Sequence, residues 1–286
     1  AYLTGVREAE AVNPERFHAL AEKFLGWALE ARGEGGIEKA VDAYVGFTTD
    51  VNIAQARYER DGHYEHSSYQ ELYEKHYSQN SEMDGYLWGI YLTNFLWAHH
   101  MRLSLDFESR FLRDIRGDAK ILEIAPGHGG WGVWALDSLA DATLNGYDIS
   151  PSSMEIAAAV SRAAGVADRV TYEERDALTL DPDDDEKFDA CICCFLIEHL
   201  EDPQRLMEVV SGRLKQDGIA YLTGALTAAQ VDHIYEFKHE SELLVMAERA
   251  GLRVLESHSV HPARLLPNAR YVPRSMSLTM IREHDG

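Results

Sequence analysis

The chain has 286 residues, 45% hydrophobic and 26% charged, which suits one large folded domain or a domain with an appendage. Its formal net charge of −21 repels phosphate backbones and anionic headgroups, so nucleic acid and membrane surfaces are excluded as expected partners. Cys191, Cys193 and Cys194 are too close together to staple a fold and lack zinc-site spacing. With no signal-peptide pattern at the start, they point to a reducing cytoplasm.

Residues 1 to about 116 read as helical throughout. Asn13 and Pro14 start a helix in which Phe17, Leu20, Ala21, Phe24, Leu25 and Ala28 recur at helical spacing, and Gly33, Gly35 and Gly36 end it. A tyrosine-rich stretch follows (Tyr58, Tyr64, Tyr69, Tyr73, Tyr77), interspersed with His63, His66 and His76. A long helix with one break is expected from about Asp84 to Ile115. Its apolar run, Tyr86 to Ala98, is interrupted by Thr93 and Asn94 and is too short to span a bilayer. The aromatics Tyr86, Trp88, Tyr91, Phe95 and Trp97 read mainly as core. Some of them, with His99 and His100, can close over a pocket as a lid.

From Lys120 the pattern alternates. Strands are expected at Ile121–Ala125, Ala142–Asp148, Val170–Glu173, Phe188–Cys194, Ile219–Thr223, Arg253–Val260 and Ser275–Arg282. Helices begin after Gly130, at Ser150–Pro151, at Asp202–Pro203 with Gly218 just past its end, and near Ser241. The expected fold is α/β: a Rossmann-like, doubly wound, mainly parallel seven-stranded sheet with an N-terminal all-helical cap. The boundary falls between a cap at 1–116 and a catalytic domain at 117–286.

The turn after the first strand reads Leu122-Glu123-Ile124-Ala125-Pro126-Gly127-His128-Gly129-Gly130. Gly127 and Gly129 let backbone approach a nucleotide closely, and with Gly132 they also satisfy the dinucleotide pattern of an NAD enzyme. The acids at successive strand ends separate these readings. Glu123 can meet a cationic amino group. Asp148 can accept both ribose hydroxyls, and Asp176 can accept from an adenine amino group.

These motifs, with Phe188-Asp189 running on to Phe195-Leu196-Ile197-Glu198-His199-Leu200, resemble the class I S-adenosylmethionine (SAM)-dependent methyltransferases over about residues 95–283. The resemblance implies SAM as cofactor. It puts the methionine part on the turn with Glu123, Ala125, Gly127 and Gly129, the ribose on Asp148 with Ile149, and the adenine on Asp176 with Ala177. Cys194 and Phe195 would lie beside the sulfonium. Ala125 departs from the family's usual glycine and tightens the turn.

The implied activity is methyl transfer to a small polar metabolite of natural-product type, an anionic one included. Such catalysis is largely alignment, with a base wherever the acceptor starts protonated. His199, His233 and Tyr235 are the candidate acceptor-side residues, His199 chiefly as a positioning group. The loop carrying His261, Arg264, Arg270 and Arg274 holds no acid. It suits either a substrate anion or an acidic neighbour in an oligomer, which leaves a homodimer open. Three alternatives use the same cofactor: aminocarboxypropyl transfer, SAM cyclisation, and metal-assisted C-methylation of an α-keto acid. Methyltransferases of that last kind hold a divalent metal through histidines. The chain is loosely similar to them by fold and by having His199, His233 and His239, with Glu236 or Glu240 nearby. His233 and His239 are six residues apart and do not share a helical face, so the expectation is a metal-free pocket.

Overall fold

The computed structural model describes residues 2–68, 72, 80–182, 184–265 and 267–283, without the side chains of residues 80–83. The sequence features at Tyr69, Tyr73, Tyr77 and His76 lie outside the described residues. The first half is helical: α1 (Tyr2–Glu10), α2 (Pro14–Arg32), α3 (Gly36–Asp61), α4 (Asn80–Leu96) and α5 (Ala98–Asp106). Asn13 caps α2 by accepting the N–H of Arg16, and Pro14 occupies the first turn, where its missing N–H costs nothing.

The long helix expected over 84–115 is interrupted more than once. Trp97 is extended, at φ −101 and ψ 128, and beyond Asp106 the chain tightens and loosens through a π turn (Phe107–Phe111) and a 3-10 turn (Leu112–Asp114). Packing explains both departures. The break lets Trp97 stack on His99 and turns His99 and His100 inward, and the π turn buries Phe107 and Phe111 together against Tyr221.

The second half is a seven-stranded sheet. Its strands are β1 (Lys120–Ile124), β2 (Thr143–Asp148), β3 (Val170–Glu174), β4 (Phe188–Cys194), β5 (Leu214–Leu226), β6 (Leu252–Val260) and β7 (Arg274–Arg282). The order is β3-β2-β1-β4-β5-β7-β6, parallel throughout except that β7 runs antiparallel to both its neighbours. Helices α6 (Gly130–Ser138), α7 (Pro151–Ala163) and α8 (Pro203–Arg213) join the parallel strands, and α9 (Glu240–Arg249) precedes β6. Ser150 and Asp202 cap α7 and α8 as their Pro-led sequences suggest.

One boundary is corrected. Helix α8 ends at Arg213, and β5 starts immediately at Leu214. The register with β4 then jumps from Phe188↔Leu214 to Ala190↔Ile219, so Gly218 belongs to a bulge rather than a helix cap, with Asp217 left-handed at φ 58.

The core is continuous across the two halves. Phe24, Tyr91 and Phe95 of the helices pack with Phe107, Trp131, Trp134 and Tyr221. Trp134 lies 5.8 Å from the Phe24 ring and 5.2 Å from Phe107. Truncating such a side chain typically costs about 3–5 kcal/mol. The loop between β6 and β7 is also tied to the helices. Arg264 pairs with Glu8 at 2.8 Å, and Glu59 accepts the N–H groups of Arg270 and Tyr271 at 2.9 and 2.7 Å. Arg274 meets Glu240 and the Lys238 carbonyl. Arg264 and Arg274 thus find acidic partners within the chain, and the Arg270 guanidinium lies against the Tyr271 side chain. Among the described residues no helix is long and apolar enough to cross a membrane.

Candidate active site

In an open sheet of this winding the chain leaves β1 and β4 in opposite directions, which opens a crevice at their carboxyl ends. On the β1–β3 side the glycine turn takes left-handed backbone at alternate residues: Ala125 (φ 52), Gly127 (φ 54) and Gly129 (φ 73). For an alanine that conformation costs on the order of 1–2 kcal/mol. The Ala125 N–H, bonded to the Tyr147 carbonyl at 2.8 Å, helps hold it there. Gly129 is required by packing as well, since a Cβ there would lie 2.8 Å from Ala157 of α7.

The strand-end acids line this cradle. Asp148 is buried, with Oδ2 accepting from the Gly127 N–H at 3.1 Å and Oδ1 from the Ser150 N–H at 2.9 Å. Burial raises its pKa, and those N–H groups oppose the rise. Glu123 accepts from the Gly132 N–H through Oε1 at 3.0 Å, while its buried Oε2 meets no hydrogen-bond partner. Burial pushes Glu123 up to about 8. Asp176 is exposed and caps the short 3-10 turn Ala177–Thr179 by accepting from the Leu178 N–H, with Ala177 buried beneath it. Ile149 stands out at the rim, 47% exposed beside Asp148. An orphaned carboxylate oxygen at the root, a turn without side chains and two further acids along the rim fit an adenosyl cofactor with an amino-acid tail.

On the β4–β5 side lies a cavity of about 360 Å³, walled by Gln55, His99, His100, Phe195, Ala225 and His233 among others. Phe195 is left-handed at φ 53, which is strained for a bulky residue. Its N–H is bound to the Thr223 carbonyl and Oγ1 at 3.1 and 3.0 Å, and its ring meets His100 at 4.8 Å. Nothing in the residue types around Phe195 signals that conformation. Burial lowers His99 and His233 to about 3 and His100 well below its ordinary value, so these imidazoles are neutral at pH 7. Burial also raises the Cys194 thiol, which stays protonated and is no nucleophile.

Glu198, His199 and His233 come together where β4 and β5 run out, one ligand-type atom from each lying within 4.8 Å of the others. The 3-10 turn Ile197–His199 and the loop after β5 are locked by backbone, as the Glu198 carbonyl accepts from both Ile234 and Tyr235 at 2.9 Å. Burial raises Glu198 to about 7. The sequence singled out His199 and His233 but gave Glu198 no role. The other candidates of that stretch go elsewhere. Tyr235 packs on the Phe237 ring at 4.6 Å and does not line the cavity. His239 caps α9, Glu236 takes the Tyr58 hydroxyl, and Glu240 pairs with Ser259 and Arg274.

A doubly wound sheet with a left-handed glycine turn, acids on three successive strand ends and a second cavity across the switch point is the arrangement that the resemblance to the class I SAM-dependent methyltransferases leads one to expect. Residues 122–220 match the family described as methyltransferase domain. It is 30% identical over 139 residues to a ubiquinone biosynthesis O-methyltransferase of Coxiella burnetii, covering 42% of this chain and 58% of that protein. It is 24% identical over 157 residues to the methyltransferase GfsG of Streptomyces halstedii, covering 50% of this chain and 56% of the relative. The chain therefore spans little more than half the length of these relatives. Its fold is shared by phosphoethanolamine N-methyltransferase 2 of Haemonchus contortus, solved with SAM, at a TM-score of 0.57 and 16% identity over 76% of this chain and 60% of that one. It is shared too by the [4+2]-cyclase SpnF, at 0.53 and 18% identity over 65% of this chain and 82% of the other.

Proposed function

We propose that the protein binds SAM across the β1–β3 cradle and transfers its methyl group to a small molecule held in the cavity over β4 and β5. The observation that carries this reading is the juxtaposition at Phe195. This strained residue lines the acceptor cavity and directly follows β4, the neighbour of the strand that feeds the glycine turn. SAM supplies the electrophilic methyl, and the chain supplies alignment and exclusion of water. Neutral His99 and His100 on the cavity wall can accept a hydrogen bond from a polar acceptor and orient it, with His199 and His233 as positioning groups. The helices of residues 1–116 act as a cap, because Gln55, His99 and His100 come from them. Three unpaired thiols suit a reducing, cytoplasmic setting.

Calorimetric titration with SAM, S-adenosylhomocysteine and NAD tests the cradle, with binding of the first two and none of the third expected. Product analysis then separates the chemistries that share the cofactor. S-adenosylhomocysteine marks methyl transfer, whereas methylthioadenosine would replace this reading by aminocarboxypropyl transfer or cyclisation. Failure to bind either adenosyl compound would remove it altogether.

A further inference from the structure

We propose that Glu198, His199 and His233 are the protein ligands of a divalent first-row transition metal seated in the wall of the acceptor cavity. Their ligand-type atoms already lie within 4.8 Å of one another. Bonds of about 2.0–2.2 Å in tetrahedral geometry would put them about 3.3–3.6 Å apart, a closure that small side-chain rotations supply.

The hydrogen bonds of the two rings set the tautomers. His199 Nδ1 lies 3.0 Å from the Asp232 carbonyl, and His233 Nδ1 lies 2.7 Å from the Ala228 carbonyl. A carbonyl can only accept, so each Nδ1 carries the proton and donates it. In the neutral form of each ring this leaves the Nε2 lone pair free, as a metal requires. The carbonyl behind each ring then acts as the outer partner that fixes its orientation. Behind His199 the Asp232 carboxylate adds to this, with Oδ2 3.5 Å from Nδ1.

The carboxylate is the independent observation. Glu198 is fully buried, and neither of its oxygens makes a hydrogen bond of standard geometry, although the N–H groups of Ala225 and of Glu198 itself lie near the carboxylate. The nearest imidazole nitrogen, His233 Nε2, stands 4.0 Å from Oε1, too far for a hydrogen bond. A buried carboxylate without a full hydrogen bond, beside the Nε2 of neutral His233, is unfavourable in the absence of a cation, and one cation satisfies both, with His199 close enough to join them. Two imidazoles with one carboxylate suit zinc or ferrous iron. Magnesium and calcium prefer oxygen throughout.

His233 lines the cavity, so an ion held here can turn its open positions toward a bound acceptor. There it would take oxygen donors and lower their proton affinity, acting as a Lewis acid. That role rests on the methyl-transfer reading. The metal site itself does not.

The test uses the full, untagged chain stripped with a chelator and dialysed against zinc chloride, against ferrous ion without oxygen, and against magnesium chloride. About one zinc or iron per chain is expected and no stoichiometric magnesium. X-ray absorption on the zinc-loaded protein should show two imidazole nitrogens at about 2.0–2.1 Å. Glu198→Gln, nearly isosteric, and His233→Ala should each weaken zinc binding by at least about 100-fold. His239→Ala should leave it intact, with circular dichroism confirming the fold of each variant. Absence of stoichiometric zinc and iron, a first shell without two imidazoles, or binding that survives both ligand variants would overturn the site. SAM is titrated separately into the metal-free protein, so loss of SAM binding there strikes the methyltransferase reading and leaves the metal site standing.

Discussion

Glu123→Gln is the substitution whose consequence the structure sets most sharply. The carboxylate is 2% exposed, and only one of its oxygens is satisfied, by the Gly132 N–H. Burial therefore raises its pKa from an ordinary 4.5 to about 8, with Asp148 pushing the same way. Between those two values the folded chain holds a proton that the unfolded chain has released, so stability falls as pH rises through the window and levels off above it. Each pH unit is worth about 1.4 kcal/mol, which sets an upper bound of about 5 kcal/mol for the whole shift and about 3 kcal/mol at pH 7. Glutamine keeps an acceptor for Gly132 and cannot ionise, so the variant lacks this slope. Urea unfolding of both proteins at pH 5, 6, 7 and 8, followed by tryptophan fluorescence, should show the variant gaining on the parent by up to about 1.4 kcal/mol per unit. Parallel stability curves would refute the reasoning. Under the proposed function, saturating SAM should narrow the gap, because its ammonium would meet the carboxylate.

Asp148→Ala should weaken SAM binding by about 2–3 kcal/mol, roughly 30–150-fold, through the loss of two charge-assisted hydrogen bonds to ribose. Asp148→Asn, which can still accept from Gly127 or Ser150, helps separate ribose binding from the integrity of the turn, and unchanged calorimetric affinity in the alanine variant would overturn that assignment. Gly132→Ala places a Cβ against the Glu123 carboxylate and Leu144, so its unfolding free energy should drop by about 1–3 kcal/mol, whereas Gly117→Ala, with open space around it, should stay within about 0.5 kcal/mol of the parent. A chain lacking residues 1–106 loses Phe24, Tyr91 and Phe95 from the core around Trp134, and a calorimetric scan should show no cooperative transition; a sharp one would mean that the sheet half stands alone.

The sequence revealed most where local chemistry and tertiary structure want the same thing. Asn13-Pro14, Ser150-Pro151 and Asp202-Pro203 each join a capping side chain to a ring that tolerates the first helical turn, and all three begin helices. The buried parallel strands read as apolar runs because both faces are covered. Where packing overrides local preference, the reading failed. Trp97 breaks a helix to stack on His99, and Gly218 lies in a strand bulge although it looks like a helix end. The same logic explains the uneven view of the site. The cradle side is built from residues near one another along the chain, on consecutive strand ends, so its acids stand out as a series. The cavity side is assembled from α3, α5, the end of β4 and the loop after β5, and no spacing rule links Gln55 to His100, Phe195 and His233. Glu198 hid for a further reason. As the neighbour of His199 it would face away in any regular strand, and a single 3-10 turn together with the carbonyls of Asp232 and Ala228 brings both side chains toward His233. Its importance comes from a buried charge left unsatisfied, a property that exists only once the chain has folded around it.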